Sequence, residues 1–162
     1  MAVVCYRDYG DKERIKAVRF TSNIPHILES LHHIQAQGGS DDAEDVAHGL
    51  ECTQMLPWET QADVKMIFHI ADAPAHGIRY HTPEITDRFP NGDPEGLNPD
   101  SILYELAESG IDYTFIKITD ATDRMIRHFA QVYRDEKGQF MVTDLTVNSQ
   151  NYRHMSDALS PT

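Results

Sequence analysis

The sequence predicts an α/β domain of the doubly wound kind, with a mainly parallel sheet, helices on both faces in three layers, and one antiparallel edge strand. Three observations carry that prediction. Short apolar, β-prone runs alternate with segments whose apolar residues recur at helical spacing. Two acidic loops, Gln37–Asp45 and His69–Gly77, each stand at the end of an apolar run, at the kind of sheet edge where ligands of open α/β sheets sit. The 162 residues are enough for one hydrophobic core and too few for two independent ones.

The elements follow in order. Ala2 to Tyr6 and Ile15 to Thr21 are β-prone runs joined by a turn-forming stretch from Asp8 to Glu13, which predicts a hairpin. Asn23 caps a helix with Pro25 in its first turn and Ile27, Leu28, Leu31 and Ile34 in one stripe, stopped by Gly38 and Gly39. Ser40 or Asp41 caps a second helix, which carries Val46, Leu50 and Thr53 on one face and ends at about Leu56 before Pro57. Val64 to Ile70 reads as a buried strand, so Asp72 projects from its carboxyl end. The stretch from Pro74 to Pro99 is rich in Pro, Gly, Asn and Asp, which predicts a long irregular connection of the sort that often carries function. Asn98 opens a third helix facing inward through Ile102, Leu103 and Leu106 and closed by Gly110. A strand from Tyr113 to Ile118, a helix from Asp120 to Tyr133 and a strand from Phe140 to Val147 complete the alternation. The domain is thus placed at residues 1–147, followed by a flexible tail over 148–162.

Composition narrows the function. A net charge of −12 argues against nucleic acid and anionic lipid as partners, because both require a surplus of Lys and Arg on one face. No run approaches the roughly 20 apolar residues that span a bilayer, and the N-terminus has no basic flank or long apolar core of a secretory signal. Two cysteines, Cys5 and Cys52, give neither a metal spacing nor a disulfide framework, which suits a reducing, cytoplasmic setting. No nucleophile signature or phosphate-cradling glycine loop is present, so no phosphoryl transfer is expected from these residues.

The hairpin opening on Ala2-Val3-Val4-Cys5-Tyr6-Arg7-Asp8-Tyr9, the loop Gln37-Gly38-Gly39-Ser40-Asp41-Asp42-Ala43-Glu44-Asp45-Val46 and the run Ile67-Phe68-His69-Ile70-Ala71-Asp72-Ala73-Pro74-Ala75-His76-Gly77 together resemble a von Willebrand factor A domain. The subgroup is the intracellular one attached to alpha-type protein kinases, and Phe89–Leu97 and Ser109–Phe115 share in the likeness, which covers about residues 2–133. The resemblance implies a Rossmann-like three-layer fold and a protein-interaction module without catalysis of its own, any kinase activity lying in a separate domain. It also implies a divalent cation, Mg²⁺ or Mn²⁺, held at the carboxyl edge of the sheet with Asp41 and Asp72 as ligands, and a protein partner that donates a carboxylate to it. The family's first strand and its Asp-x-Ser-x-Ser loop have no counterpart here, so the domain reads as N-terminally truncated and the cation as weakly held. Loss of that central strand leaves either the Ala2 strand beside the Val64 strand or two unpaired edges.

Other readings stand beside this one. Asp41, Asp42, Glu44 and Asp45 also suit the positive end of a helix dipole, and Asp72 also suits a turn. Asp72, His76 and His81 could serve a metal-assisted hydrolase, since imidazole and carboxylate are zinc ligands. His26, His32 and His33 read as an exposed helix face, and Trp58 as a plug against the core.

Overall fold

A computed structural model of the chain describes residues 1–35 and 37–146. The elements run β1 (Val3–Tyr6), β2 (Ile15–Val18), α1 (Ile24–His32), α2 (Val46–Gln54), β3 (Met66–Ala71), α3 (Pro99–Glu108), β4 (Asp112–Lys117), α4 (Asp123–Tyr133) and β5 (Phe140–Asp144). This is the predicted succession of strands and helices. The expected tail over 148–162 and the end of the domain at Val147 lie outside the described residues.

The sheet departs from the expectation of one continuous, mainly parallel sheet. β1 and β2 pair antiparallel, while β3, β4 and β5 form a separate parallel sheet in the order β3-β4-β5. Alternating apolar residues specify that a segment is a strand and which face it buries, but not which neighbour it takes. Among the described residues β1 and β3 do not pair with each other, and each pairs on one side only.

One face of the parallel sheet is packed and the other is open. Tyr113 and Phe115 of β4 meet Leu50 of α2, Leu103 and Leu106 of α3, and Met125 and Phe129 of α4 in one buried cluster. The alternate residues of β3, Met66, Phe68 and Ile70, are exposed, so helices on both faces of this sheet are not found among the described residues. Trp58 packs half-buried against the core and donates from Nε1 to the Thr53 carbonyl at 2.9 Å, as a plug should. In α1, Asn23 accepts from the His26 amide as expected, but only Ile27 of the predicted stripe is fully buried. His26, His32 and His33 are exposed.

The cap of α2 is a correction. The helix starts at Val46, and Asp45 rather than Ser40 or Asp41 caps it, its Oδ1 accepting from the His48 amide at 3.1 Å. The residues before it are claimed elsewhere: the Asp42 and Ala43 amides bond the Thr86 carbonyl, and the Glu44 amide bonds the Pro74 carbonyl. Further along, α2 can lie close to β1 because residue 49 is glycine; a Cβ there would come within 2.7 Å of the Tyr6 ring.

Candidate functional site

The two acidic loops do meet. A parallel bridge between Glu44 and Ala75 joins the loop before α2 to the loop after β3, beside the carboxyl end of β1. A cleft of about 490 Å³ opens there, walled by Tyr6 and Arg7 of the hairpin, by Gly38 and Gly39, by Glu44 and by Asp72. Gly38 has no substitute in this wall. Its φ of +115° is a glycine conformation, and a Cβ would fall 2.0 Å from Asp11 Oδ2.

Behind the cleft lies a buried polar network that the sequence did not announce. Asp8 and His76 are fully or almost fully buried, with His76 Nε2 2.7 Å from Asp8 Oδ1 and His76 Nδ1 2.8 Å from Asp87 Oδ1. The second oxygen of Asp87 lies 2.9 Å from His81 Nε2, and Arg88 Nη2 donates to Asp8 Oδ2 at 3.0 Å. Burial alone would depress His76, but its two carboxylate partners prevail and raise it, as expected for an imidazolium held between anions. Burial likewise opposes ionisation of Asp8 and Asp87, yet the hydrogen bonds they accept hold both below the ordinary carboxylate range.

The neighbouring acids are shifted the other way. The Asp41 side chain is 4% exposed; Oδ2 accepts from the Arg88 amide at 2.6 Å, while Oδ1 has no hydrogen-bond partner. Burial, reinforced by the adjacent Asp8 carboxylate, raises its pKa. Glu44 is pushed up to about 7 by burial first and then by Asp8, Asp11 and Asp72. Its Oε2 and Asp11 Oδ2 are also buried without a partner. Asp41 Oδ1 still has Arg88 Nε 3.7 Å away, whereas the Glu44 and Asp11 oxygens without a hydrogen bond are costly for the protein alone.

A second cluster pins the hairpin from the other side. Asp45 Oδ1 lies 2.8 Å from His48 Nδ1, Arg14 reaches Asp45 and Glu95 at 3.3 and 3.1 Å, and the Tyr9 hydroxyl donates to Asp93 at 2.5 Å. Arg14 also sits 4.4 Å over the Tyr9 ring.

Of the residues singled out from sequence, Asp41 is in the buried network and Asp72 is exposed on the cleft wall. Among the described residues, the His/Cys/Asp/Glu groups with ligand atoms within 4.8 Å of one another are Asp41–His76–Asp87 and Asp45–His48–Asp93. Asp72 belongs to neither. The hydrolase set of Asp72, His76 and His81 is therefore not assembled as one group; His76 and His81 meet instead through Asp87. Asp8, Asp87 and Arg88 were not foreseen, since Asp8 read as a turn residue and the other two lay in an irregular stretch. The one available signal was an aspartate directly after a β-prone run, matching the position of Asp72.

No protein-family model matches the chain. It is similar to an alpha-protein kinase, vwkA, of Dictyostelium discoideum, at 32% identity over 126 residues, which is 76% of this chain and 20% of that protein. The chain thus spans about a fifth of that relative's length. The relative's class agrees with the association that the resemblance implies, and the mixed α/β architecture is compatible with a von Willebrand A-like fold without being specific to it.

Proposed function

We propose that this chain is a protein-interaction module of the von Willebrand A type, which binds a protein ligand through a divalent cation and has no catalysis of its own. The observation that carries the reading is the Glu44 carboxylate, which lines the same cleft as Asp72 and whose Oε2 is buried without a hydrogen-bond partner. Hard carboxylate oxygens suit Mg²⁺ or Mn²⁺, and a cation would favour the ionised form of Glu44, which burial and the neighbouring acids disfavour. Asp41 and Asp72 are the ligands we assign, with Glu44 beside them. With few protein ligands, the ion would keep waters, and a partner carboxylate could replace one of them.

Kinase activity of the kind named for the relative would belong to a separate domain. No described helix is long and apolar enough to cross a membrane, and a cytoplasmic location, with neither nucleic acid nor membrane insertion, is part of the same proposal. Calorimetric titration with Mg²⁺, Mn²⁺ and Zn²⁺, paired with thermal melts, tests it. Mg²⁺ or Mn²⁺ should raise the melting temperature, and Asp72→Ala should abolish that rise without unfolding the domain. An unchanged metal affinity in Asp72→Ala overturns the assignment, and tight selective Zn²⁺ binding with hydrolytic turnover would replace it with the hydrolase reading.

A further inference from the structure

A second cleft, of about 460 Å³, is lined by Arg79, Thr82, Arg124, Arg127, His128 and Gln131. None of the six is acidic, in a chain with 26 Asp and Glu against 14 Lys and Arg. Arg124, Arg127, His128 and Gln131 stand at i, i+3, i+4 and i+7 of α4, so one helix face presents them together.

Two of the basic side chains are held by a carboxylate, and two arginines are left without one among the described residues. Asp100 is that carboxylate, accepting from Arg79 Nη1 at 2.9 Å and lying 2.9 Å from His128 Nε2. Arg124 is set by one bond from Nη1 to the His81 carbonyl at 3.0 Å. Neither Arg124 nor Arg127 has a carboxylate within 4.0 Å among the described residues. The acids at the start of α4 do not compensate, because Asp120 and Asp123 are both engaged by Lys117 at 2.6 and 2.7 Å. Arg124 therefore lies in the first turn of α4 against the helix dipole, an arrangement that an anion would relieve.

We propose that this cleft binds a phosphate group, carried by a phosphorylated side chain or as the free ion. Guanidinium forks match phosphate oxygens in pairs, and the Gln131 amide adds a neutral donor for the remaining oxygen. Three oxygens carrying nearly two charges use this donor set more fully than a carboxylate does. The site is independent of the cation cleft and does not rest on that reading.

The test is an NMR titration of the full chain with inorganic phosphate, with a phosphoserine peptide, and with the same peptide unphosphorylated. Saturable shifts at Thr82, Arg127 and Gln131 with the phosphorylated probes are expected. Arg127→Gln, which removes no hydrogen bond or ion pair among the described residues, should weaken binding about tenfold, the loss of a charged hydrogen-bonding group. Arg19→Gln, an exposed arginine outside the cleft, should leave it unchanged. Tighter binding of the phosphopeptide identifies a modified protein segment as the source, and equal binding identifies a free phosphate. No saturable shift with either, or equal losses in Arg127→Gln and Arg19→Gln, overturns the proposal.

Discussion

The hairpin β1–β2 and the parallel sheet β3–β5 are attached to this molecule by opposite means. The parallel sheet is held by burial: Tyr113, Phe115 and Phe129 are fully enclosed, and three helices contribute to the same cluster. Among the described residues the hairpin shares no sheet hydrogen bonds with it, and apart from Tyr6 against the core it is fastened at its turn by polar and ionic contacts of Asp8, Tyr9 and Arg14. Apolar burial is non-directional and tolerates small shifts, whereas a buried ionic network fixes geometry and fails when one member is lost. The cleft lies on the ionic side of this divide, where the position of a few carboxylates decides what can bind.

The largest effect should come from the apolar side. Phe115→Ala removes a fully buried ring from β4 and should cost about 3–5 kcal/mol in denaturant unfolding, collapsing both regions together. Asp8→Asn should cost about 3 kcal/mol, because it leaves the imidazolium of His76 and the guanidinium of Arg88 short of a counter-charge. Its signature is different. Amide exchange should accelerate in β1 and β2 while β3–β5 stays protected, and equal loss of protection in both would show that the hairpin is not separately fastened.

This division marks what could be read from the sequence. Helical stripes such as Ile102-Leu103-Leu106 and Met125-Ile126-Phe129 name the core because their periodicity is local. Asp8, by contrast, meets His76 and Arg88 across 68 and 80 residues, and no local pattern encodes such a pairing. The α2 cap was misplaced for the same reason: Asp42 is tied to Thr86, 44 residues away, so the chain enters the helix later than its polar residues suggest. Of the candidate site, Asp41 and Asp72 are singled out by the resemblance alone, since a local reading leaves them as acids at a helix start and in a turn. Glu44 was visible only as one more acid near a helix start, and its burial against Asp8, Asp11 and Asp72 depends on how the loops meet.

Acidity should separate the two regions next. His76 has a raised folded pKa, so its contribution is complete below its ordinary 6.5 and is lost as pH rises through the folded value. Glu44, raised from 4.5 to about 7, acts in the same direction, since its charged form is penalised only in the fold. Asp8 and Asp87 are depressed, and their contribution is lost as pH falls below the ordinary 3.8 through their folded values. In chelator, protection of the hairpin should therefore peak at mildly acidic pH and decline above neutrality. Glu44→Gln should flatten part of that decline, and Mg²⁺ should do so in the unmodified chain. A maximum at alkaline pH would contradict the carboxylate pairing of His76 and the burial of Glu44.

The smallest effect probes a polar link that runs from the end of β1 into the parallel sheet. Tyr6 of β1 places its hydroxyl 2.6 Å from His69 Nε2 on β3, and His69 Nδ1 lies 2.6 Å from the Tyr113 hydroxyl on β4. Burial pushes His69 down to about 4, so the ring is neutral and carries a single N–H. One tyrosine must then donate to the ring and the other accept from it. Tyr6→Phe keeps the aromatic volume against His69 but orphans Nε2, at a cost of about 1–2 kcal/mol. Because Tyr113 still holds the other nitrogen, that loss should appear in hairpin exchange alone. If β3 and β4 exchange faster to the same extent, the link belongs to the apolar core, and the hairpin is fastened by more than its ionic end.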